Sequence, residues 1–320
     1  MIAGGQAIGL DVGGTKIAAA RVAADGSILA MERAPSPATD PARILDAMVE
    51  LAGKVRTDEV VAAGIGAAGL VDSAAGVLAF APNLAWRDVH LVDHVGGALG
   101  LPTIADNDAT AAAWGEFRFG AGRGSRHLLL VTVGTGIGGG IVTDGRIYRG
   151  AHGFAAEIGH IIVEPGGPPC GCGNQGCWEQ VASGHAIQRA GQEAAERYPH
   201  SGIARLAEGV PARVTGSVVT RAAQDGDETA RSILAKVGRR LGEGIAGLVN
   251  VLDPDVVVVG GGAAAAGDLL LEPARRAFVR SVEAPDDRPE VPLLQAELGN
   301  DAGVVGAAAL ALERVAGTPA

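Results

Sequence analysis

Cys170, Cys172 and Cys177 are the only cysteines of the chain, all within CGCGNQGCWE, and His160 lies ten residues before the first of them. Three thiolates and one imidazole complete a tetrahedral Zn2+ shell, and the glycines at 171, 173 and 176 permit the tight loop that brings the sulfurs together. A redox pair would more often take the form C-x-x-C at a helix start, which this segment lacks. A closed shell of three Cys and one His leaves no open position for water, so the metal is expected to shape the loop and not to do chemistry. Glu157 stands three residues before His160, and Glu179 two residues after Cys177. Zinc would pin both acids, and carboxylates held this way can accept hydrogen bonds from sugar hydroxyls.

A second group of polar residues, Asp106-Asn107-Asp108, follows the short apolar run Leu101 to Ala105 and precedes a helical pattern. Such a position is the carboxyl end of a strand, where open α/β sheets place ligands. A kinase acting on a hydroxyl needs a carboxylate to take the proton as the oxygen attacks the γ-phosphate, and Asp108 is the candidate. The plainer alternative for Asp108 is a helix N-cap, and for Asn83, in APNLAW, a turn residue.

Two glycine turns could hold the phosphates. Asp11-Val-Gly13-Gly14-Thr15-Lys16 puts an acid at a strand end, then glycines through which backbone amides approach an anion, then a hydroxyl and a cation. Asp11 could hold Mg2+ through water. Gly134-Thr135-Gly136 repeats the turn, and Gly260-Gly261-Gly262 follows a third apolar strand. Neither the Walker A pattern nor G-x-G-x-x-G opening a helix is met. Two facing Gly-Thr hairpins instead suggest a nucleotide gripped between domains.

The elements that must carry these residues repeat once. Residues 7–30 read as strand, glycine turn, strand, Asp25-Gly26 hairpin and strand, and residues 128–148 follow the same plan with Asp144-Gly145. A spacing near 120 residues is too long for a solenoid and points to two related α/β domains. Helices are expected over Pro41–Val55, Asp108–Phe117, Asp227–Leu252 and Asp301–Val315, with buried strands at Val60–Ile65 and within DPDVVVVGGG. The Gly-rich connector 119–127 sets the boundary between a small domain, 1–118, completed by the C-terminal segment 301–320, and a large domain, 119–300.

The 320 residues are 48% apolar with a net charge of -10, which suits a soluble protein with a large core. No basic stripe able to displace phosphate counterions is present, so nucleic acid is not an expected partner. The N-terminus lacks the features of a signal peptide, and the longest apolar run is too short to span a bilayer. With so few cysteines, the cytoplasm is the expected compartment.

Together these segments resemble the ROK family of bacterial sugar kinases and repressors, within the actin, hexokinase and Hsp70 superfamily. LDVGGTKIAAA is similar to its first phosphate motif, VTVGTGIGGGIV to the second and DPDVVVVGGG to the adenosine-side motif. GFAAEIGHIIVEPGG followed by CGCGNQGCWEQVASG is similar to the signature that holds its zinc centre. APNLAW, DNDATAAAWGE and FRFGAG are most similar to its ATP-dependent, glucose-phosphorylating members of the actinobacterial type.

The resemblance implies a two-domain, actin-like (ribonuclease H-like) fold with duplicated sheets and an interdomain cleft. It implies transfer of the ATP γ-phosphate to the 6-hydroxyl of glucose with Mg2+, and a homodimer or homotetramer. Asp108 would be the base; Asn83, Asn107, Glu157, His160 and Glu179 would hold the sugar; Asp11, Gly13, Gly14, Thr15, Lys16, Gly134, Thr135, Gly136, Gly261 and Gly262 would hold the nucleotide. Family repressors carry a DNA-binding segment before the first phosphate motif, for which the start of that motif at Ile8 leaves no expected room. Other hexoses, N-acetylmannosamine, and a sugar sensor without turnover are the alternatives.

Overall fold

The computed structural model describes residues 5–81 and 86–317. Strands β1 (Gln6–Val12), β2 (Lys16–Ala23) and β3 (Ile28–Pro35) lead into helix α1 (Pro41–Val55). Next come β4 (Val60–Ala67), β5 (Leu70–Asp72), β6 (Val77–Ala81), β7 (Trp86–His90), α2 (Leu91–Leu99), β8 (Thr103–Asn107) and α3 (Asp108–Phe119). A second series opens with β9 (Leu128–Val133), β10 (Ile137–Thr143) and β11 (Arg146–Ile147). Helices α4 (Glu179–Ala182), α5 (Gly184–Arg197), α6 (Gly202–Leu206), α7 (Gly216–Gln224) and α8 (Glu228–Leu252) follow. The chain ends with β12 (Val256–Gly260), α9 (Asp268–Ser281), β13 (Leu293–Gln295) and α10 (Ala302–Val315).

Local chemistry accounts for many of these bounds. Gly26 takes a left-handed φ of 86° and the Asp25 carboxylate accepts the Ser27 N–H, closing the β2–β3 hairpin. Helix α1 starts where the Asp40 side chain accepts the Arg43 N–H, with Pro41 at the first position, and it buries Ile44, Met48, Leu51, Ala52 and Val55 on one face. The cap of α8 is Asp227, whose carboxylate accepts the Ala230 N–H.

The two large sheets share one plan. Their strand orders, β3-β2-β1-β4-β8 and β11-β10-β9-β12-β13, place corresponding strands in corresponding positions. In the first sheet β1 and β2 are antiparallel while β1 pairs with β4, and β4 with β8, in parallel; in the second, β12 and β13 are also parallel. A small antiparallel sheet, β5-β6-β7, interrupts the first series. The sequence does not predict its three short strands, because their apolar and polar residues show no sustained period.

The chain divides into two compact units. One comprises Met1–Leu130, Gly139–Ala156 and Ala296–Ala320, the other Val131–Gly138 and Glu157–Gln295. In the first unit α10 lies on β1 and β4 at backbone distance, because a Cβ at Gly9 or Gly64 would overlap the carbonyl of Val304 or Ala307. Glu116 is fully buried on α3, and its carboxylate accepts the N–H groups of Ala121, Glu297 and Leu298 at 2.9, 3.1 and 2.8 Å. One carboxylate thus anchors both the segment leaving α3 and the segment returning toward α10.

Candidate active site

In the first unit, β1 and β8 bring three acids toward one end of the sheet. Asp106 and Asn107 end β8 and Asp108 begins α3. Asn107 is the helix cap: its Oδ1 accepts the N–H of Ala109 and Thr110 at 2.9 and 3.0 Å, and its Nδ2 donates to the Gly69 carbonyl at 3.1 Å. The capping role considered for Asp108 is therefore filled by its neighbour. Asp108 accepts the Ala109 N–H through Oδ1 at 2.9 Å. The residue keeps some accessible surface, yet its carboxyl is ringed by protein. Burial pushes it above the ordinary carboxylate range, against the pull of the Ala109 N–H and Asn107.

Asp11, next to the end of β1, is raised to about 7, first by burial and then by the Asp108 carboxylate; Lys16 lowers it and Asp301 raises it again. Its carboxyl faces Gly303 in the first turn of α10. Because the folded value lies above the ordinary 3.8, the stabilising contribution of protonated Asp11 is complete below about pH 4 and is lost as the pH rises through about 7. Nucleotide-free Asp11→Asn is thus expected to melt above the wild type at pH 8, by a margin that shrinks toward pH 5 and vanishes near pH 4. Calorimetry across this range checks the sign; a margin growing as the pH falls would refute the assignment.

The first glycine turn, Gly13 to Lys16, is closed by the Gly13 N–H on the Lys16 carbonyl at 3.0 Å, leaving Thr15 and Lys16 exposed. In the second unit Gly134 and Gly136 close the matching turn at the same distance. The carbonyls of Gly134 and Thr135 accept the N–H groups of Gly184 and His185, so the start of α5 is docked on this turn. Gly261, with φ 84°, packs on the backbone of Val133, which brings the Gly261-Gly262 segment beside it. Asn83 lies outside the described residues.

The cysteine loop, also in the second unit, folds as the glycine spacing suggests. Ile162 bridges Cys177 and Pro169 bridges Gln175, while the Cys170 N–H meets the Asn174 carbonyl at 2.8 Å. Trp178 anchors the loop end through its indole N–H on the Arg240 carbonyl at 2.9 Å. One ligand atom from each of His160, Cys170, Cys172 and Cys177 falls within 4.8 Å of the others. His160 Nδ1 is 3.6 Å from Cys170 Sγ, and Cys172 and Cys177 are 3.6 Å apart at sulfur. The other ring nitrogen, Nε2, faces Glu157 at 3.9 Å. A carboxylate on the second nitrogen is the usual way a metal-binding imidazole is oriented.

Burial pushes the Cys177 thiol up to about 12, and the neighbouring Cys172 and Cys170 add to the rise. A bound cation would favour the ionised form of these thiols, and the donor set fits Zn2+. Glu179 connects this loop to the second glycine turn. Its Oε2 accepts the Ile137 N–H at 3.2 Å, and a Cβ at Gly136 would overlap the same oxygen. Its Oε1 is 3.8 Å from Cys170 Sγ.

The fold adds two functional candidates. Gly69 receives Asn107 while holding a φ of 131° open to glycine, and Arg149 pairs with Asp106 at 2.8 Å. No local motif marks either in the sequence, since each acts on a residue distant in the chain.

Duplicated sheets with glycine turns between their first two strands define an α/β protein of the actin-like ATPase class. The chain belongs to the ROK family, whose model matches residues 7–314. It is 43% identical to a glucokinase of Streptomyces coelicolor over 97% of this chain and 98% of that one. An N-acetylmannosamine kinase of Escherichia coli is 35% identical over 95% of this chain and 98% of its own. Among solved structures, a ROK family glucokinase from Streptomyces griseus in complex with glucose and AMPPNP superposes with a TM-score of 0.90 at 43% identity, covering 97% of this chain and all of that one.

Proposed function

We propose that this chain is a kinase that transfers the ATP γ-phosphate to the 6-hydroxyl of glucose, forming glucose 6-phosphate and ADP. The observation that carries this reading is the division of labour at the end of β8: Asn107 caps α3, so helix capping does not account for the Asp108 carboxylate, whose Oδ1 accepts the neighbouring Ala109 N–H. The likeness to the Streptomyces glucokinases supports glucose as the acceptor.

In the transfer, Asp108 accepts the hydroxyl proton while the sugar oxygen attacks the γ-phosphorus in line; its raised affinity for a proton suits that role. Asn107, Glu157, His160 and Glu179 orient the sugar, with Asn83 as a further candidate. The turns Gly13 to Lys16 and Gly134 to Gly136 present donors to the phosphates, and Gly261 and Gly262 border the nucleoside. Mg2+, bound with the nucleotide near Asp11, would offset phosphate charge. Zinc on His160, Cys170, Cys172 and Cys177 would fix the loop carrying the sugar ligands.

Among the described residues no helix is long and apolar enough to cross a membrane, and action in the cytoplasm accords with three clustered cysteines, an odd number that does not make a disulfide framework. The exposed run Ile161, Ile162 and Val163 supports a homodimer or homotetramer, which light scattering distinguishes.

A panel of hexoses and donors tests the reading. We expect kcat/KM for glucose with MgATP to exceed that for mannose, fructose and N-acetylmannosamine by about tenfold or more, the scale expected when a buried polar group loses its partner. Polyphosphate should be a poor donor. Higher kcat/KM for N-acetylmannosamine would reassign the substrate, and no turnover with any hexose would leave a sugar sensor.

A further inference from the structure

We propose that Arg149 is a positioning residue for the transfer, holding through one ion pair both the strand end that carries Asn107 and Asp108 and the loop that runs into Glu157. The inference rests on the roles given above to Asp108 and Glu157.

Asp106 is only 2% exposed. Its Oδ2 receives the Arg149 Nε–H at 2.8 Å, and its Oδ1 accepts the Asn107 N–H at 2.9 Å. Both oxygens are used, and the second bond fixes the backbone from which Asn107 caps α3 and reaches Gly69. A buried ion pair adds little net stability over an apolar pair of the same size, so packing alone gives no reason to place a charge here. It does impose direction, because a guanidinium and a carboxylate meet in few geometries.

The other end of the pair sits on irregular backbone. Arg149 follows β11, and its carbonyl accepts the Ala155 N–H at 3.1 Å, closing a loop. Within that loop Gly153, at φ 84°, lies so close to the Val71 carbonyl that a Cβ would stand 2.5 Å from it. Ala156 then takes a φ of 68°, in the left-handed region that a β-carbon disfavours, directly before Glu157. A loop held by one ion pair, one glycine contact and one strained residue is fixed at three points within the first unit. Asp106 and Arg149 therefore tie the backbone that carries the proposed base to the loop 149–156, which precedes Glu157 in the chain.

The test uses the full-length protein with Arg149→Met, Arg149→Lys, Asp106→Asn and the Asp106→Asn, Arg149→Met double variant. Nucleotide-binding sites are counted by MgADP titration, and rates are expressed per site, so partial unfolding does not count as lost catalysis. For Arg149→Met we expect kcat to fall about 10- to 100-fold and KM for glucose to rise about tenfold, the size of loss that small misplacements bring. The MgADP Kd should stay within about twofold and Arg149→Lys should recover part of the loss. The double variant should be no worse than the worse single variant, as expected when two residues act through one contact.

Wild-type kcat and KM per site in Arg149→Met, even with a lowered melting point, would show a merely structural pair and overturn the proposal. Additive losses in the double variant would overturn it too. Should the wild type prefer another hexose, the glucose reading fails but the same comparison with that hexose still decides the role of Arg149. Should it turn over none, sugar affinity by calorimetry replaces the rate, and an unchanged affinity in Arg149→Met refutes the role.

Discussion

Asp108→Asn is expected to lower kcat by about 10^2- to 10^4-fold while the sugar remains bound, because general-base catalysis is lost without removing a hydrogen-bonding side chain. The substitution is nearly isosteric, and the cap of α3 belongs to Asn107, so the fold should persist with little change in melting. The amide oxygen of the substituted side chain can still accept the Ala109 N–H that Asp108 accepts now. Asp108 also raises the proton affinity of Asp11, so removing its charge should let Asp11 ionise at lower pH. The rate loss should therefore come with an altered Asp11 titration, two readouts from one substitution. Single-turnover kinetics, which separate binding from chemistry, make the measurement. A near-normal rate of the chemical step would remove Asp108 from the base role and return it to a place in helix initiation.

How far the sequence exposes this arrangement depends on the range over which each residue acts. Helix α1 is legible over the same residues that form it, because Asp40, Pro41 and the spacing of Ile44, Met48 and Leu51 all act within a few positions. The duplication is visible for the same reason: each half has its own glycine turn and its own Asp-Gly hairpin. The candidate metal-ligand set is legible because the three thiols sit within eight residues, with His160 ten residues before the first of them. What stays hidden acts across the chain. Asp106 and Arg149 are 43 residues apart, and Glu116 reaches backbone groups 181 and 182 residues away. Asp106 and Glu116 look like surface acids to a composition argument, since carboxylates are seldom fully buried. Only the tertiary fold reveals that an arginine and a set of backbone amides satisfy them.

The division between Asn107 and Asp108 shows the same limit at shorter range. An acid or amide before a helix signals a cap, and two such residues in a row leave open which one serves. The extended backbone at Asn107, with φ -64° and ψ 147°, places its side chain over the first helical amides. Asp108, one residue on, is already helical. One step in sequence thus separates the residue that caps the helix from the one proposed as the base.

Removing the metal should be the most damaging change to sugar binding that leaves the nucleotide turns in place. In Cys177→Ser we expect bound zinc to fall from about one per chain to near zero, since a closed four-ligand shell that loses a thiolate loses most of its affinity. Cys177 is buried, it bridges Ile162, and Trp178 beside it packs under α8, so the loop should loosen from that point toward His160. His160 would lose the metal between its Nδ1 and the thiols while Cys170 and Glu157 remain near its two ring nitrogens, so the imidazole would be held less firmly in one orientation. Glu179 would keep its bond from the Ile137 N–H but lose a fixed neighbour in Cys170. KM for glucose should therefore rise about 10- to 100-fold, the range seen when the partners that orient a metal site are removed. MgADP affinity should change much less, because the Gly134 to Gly136 turn is held by Gly184 and His185 at the start of α5. Serine is close to cysteine in size, so a packing defect alone predicts a lower melting point without this separation of sugar from nucleotide binding. Metal analysis, differential scanning calorimetry and paired titrations make the distinction. A zinc-free protein with unchanged melting and unchanged KM would mean that the thiols and His160 do not hold the sugar ligands in place, and the positional role of the metal would have to be abandoned.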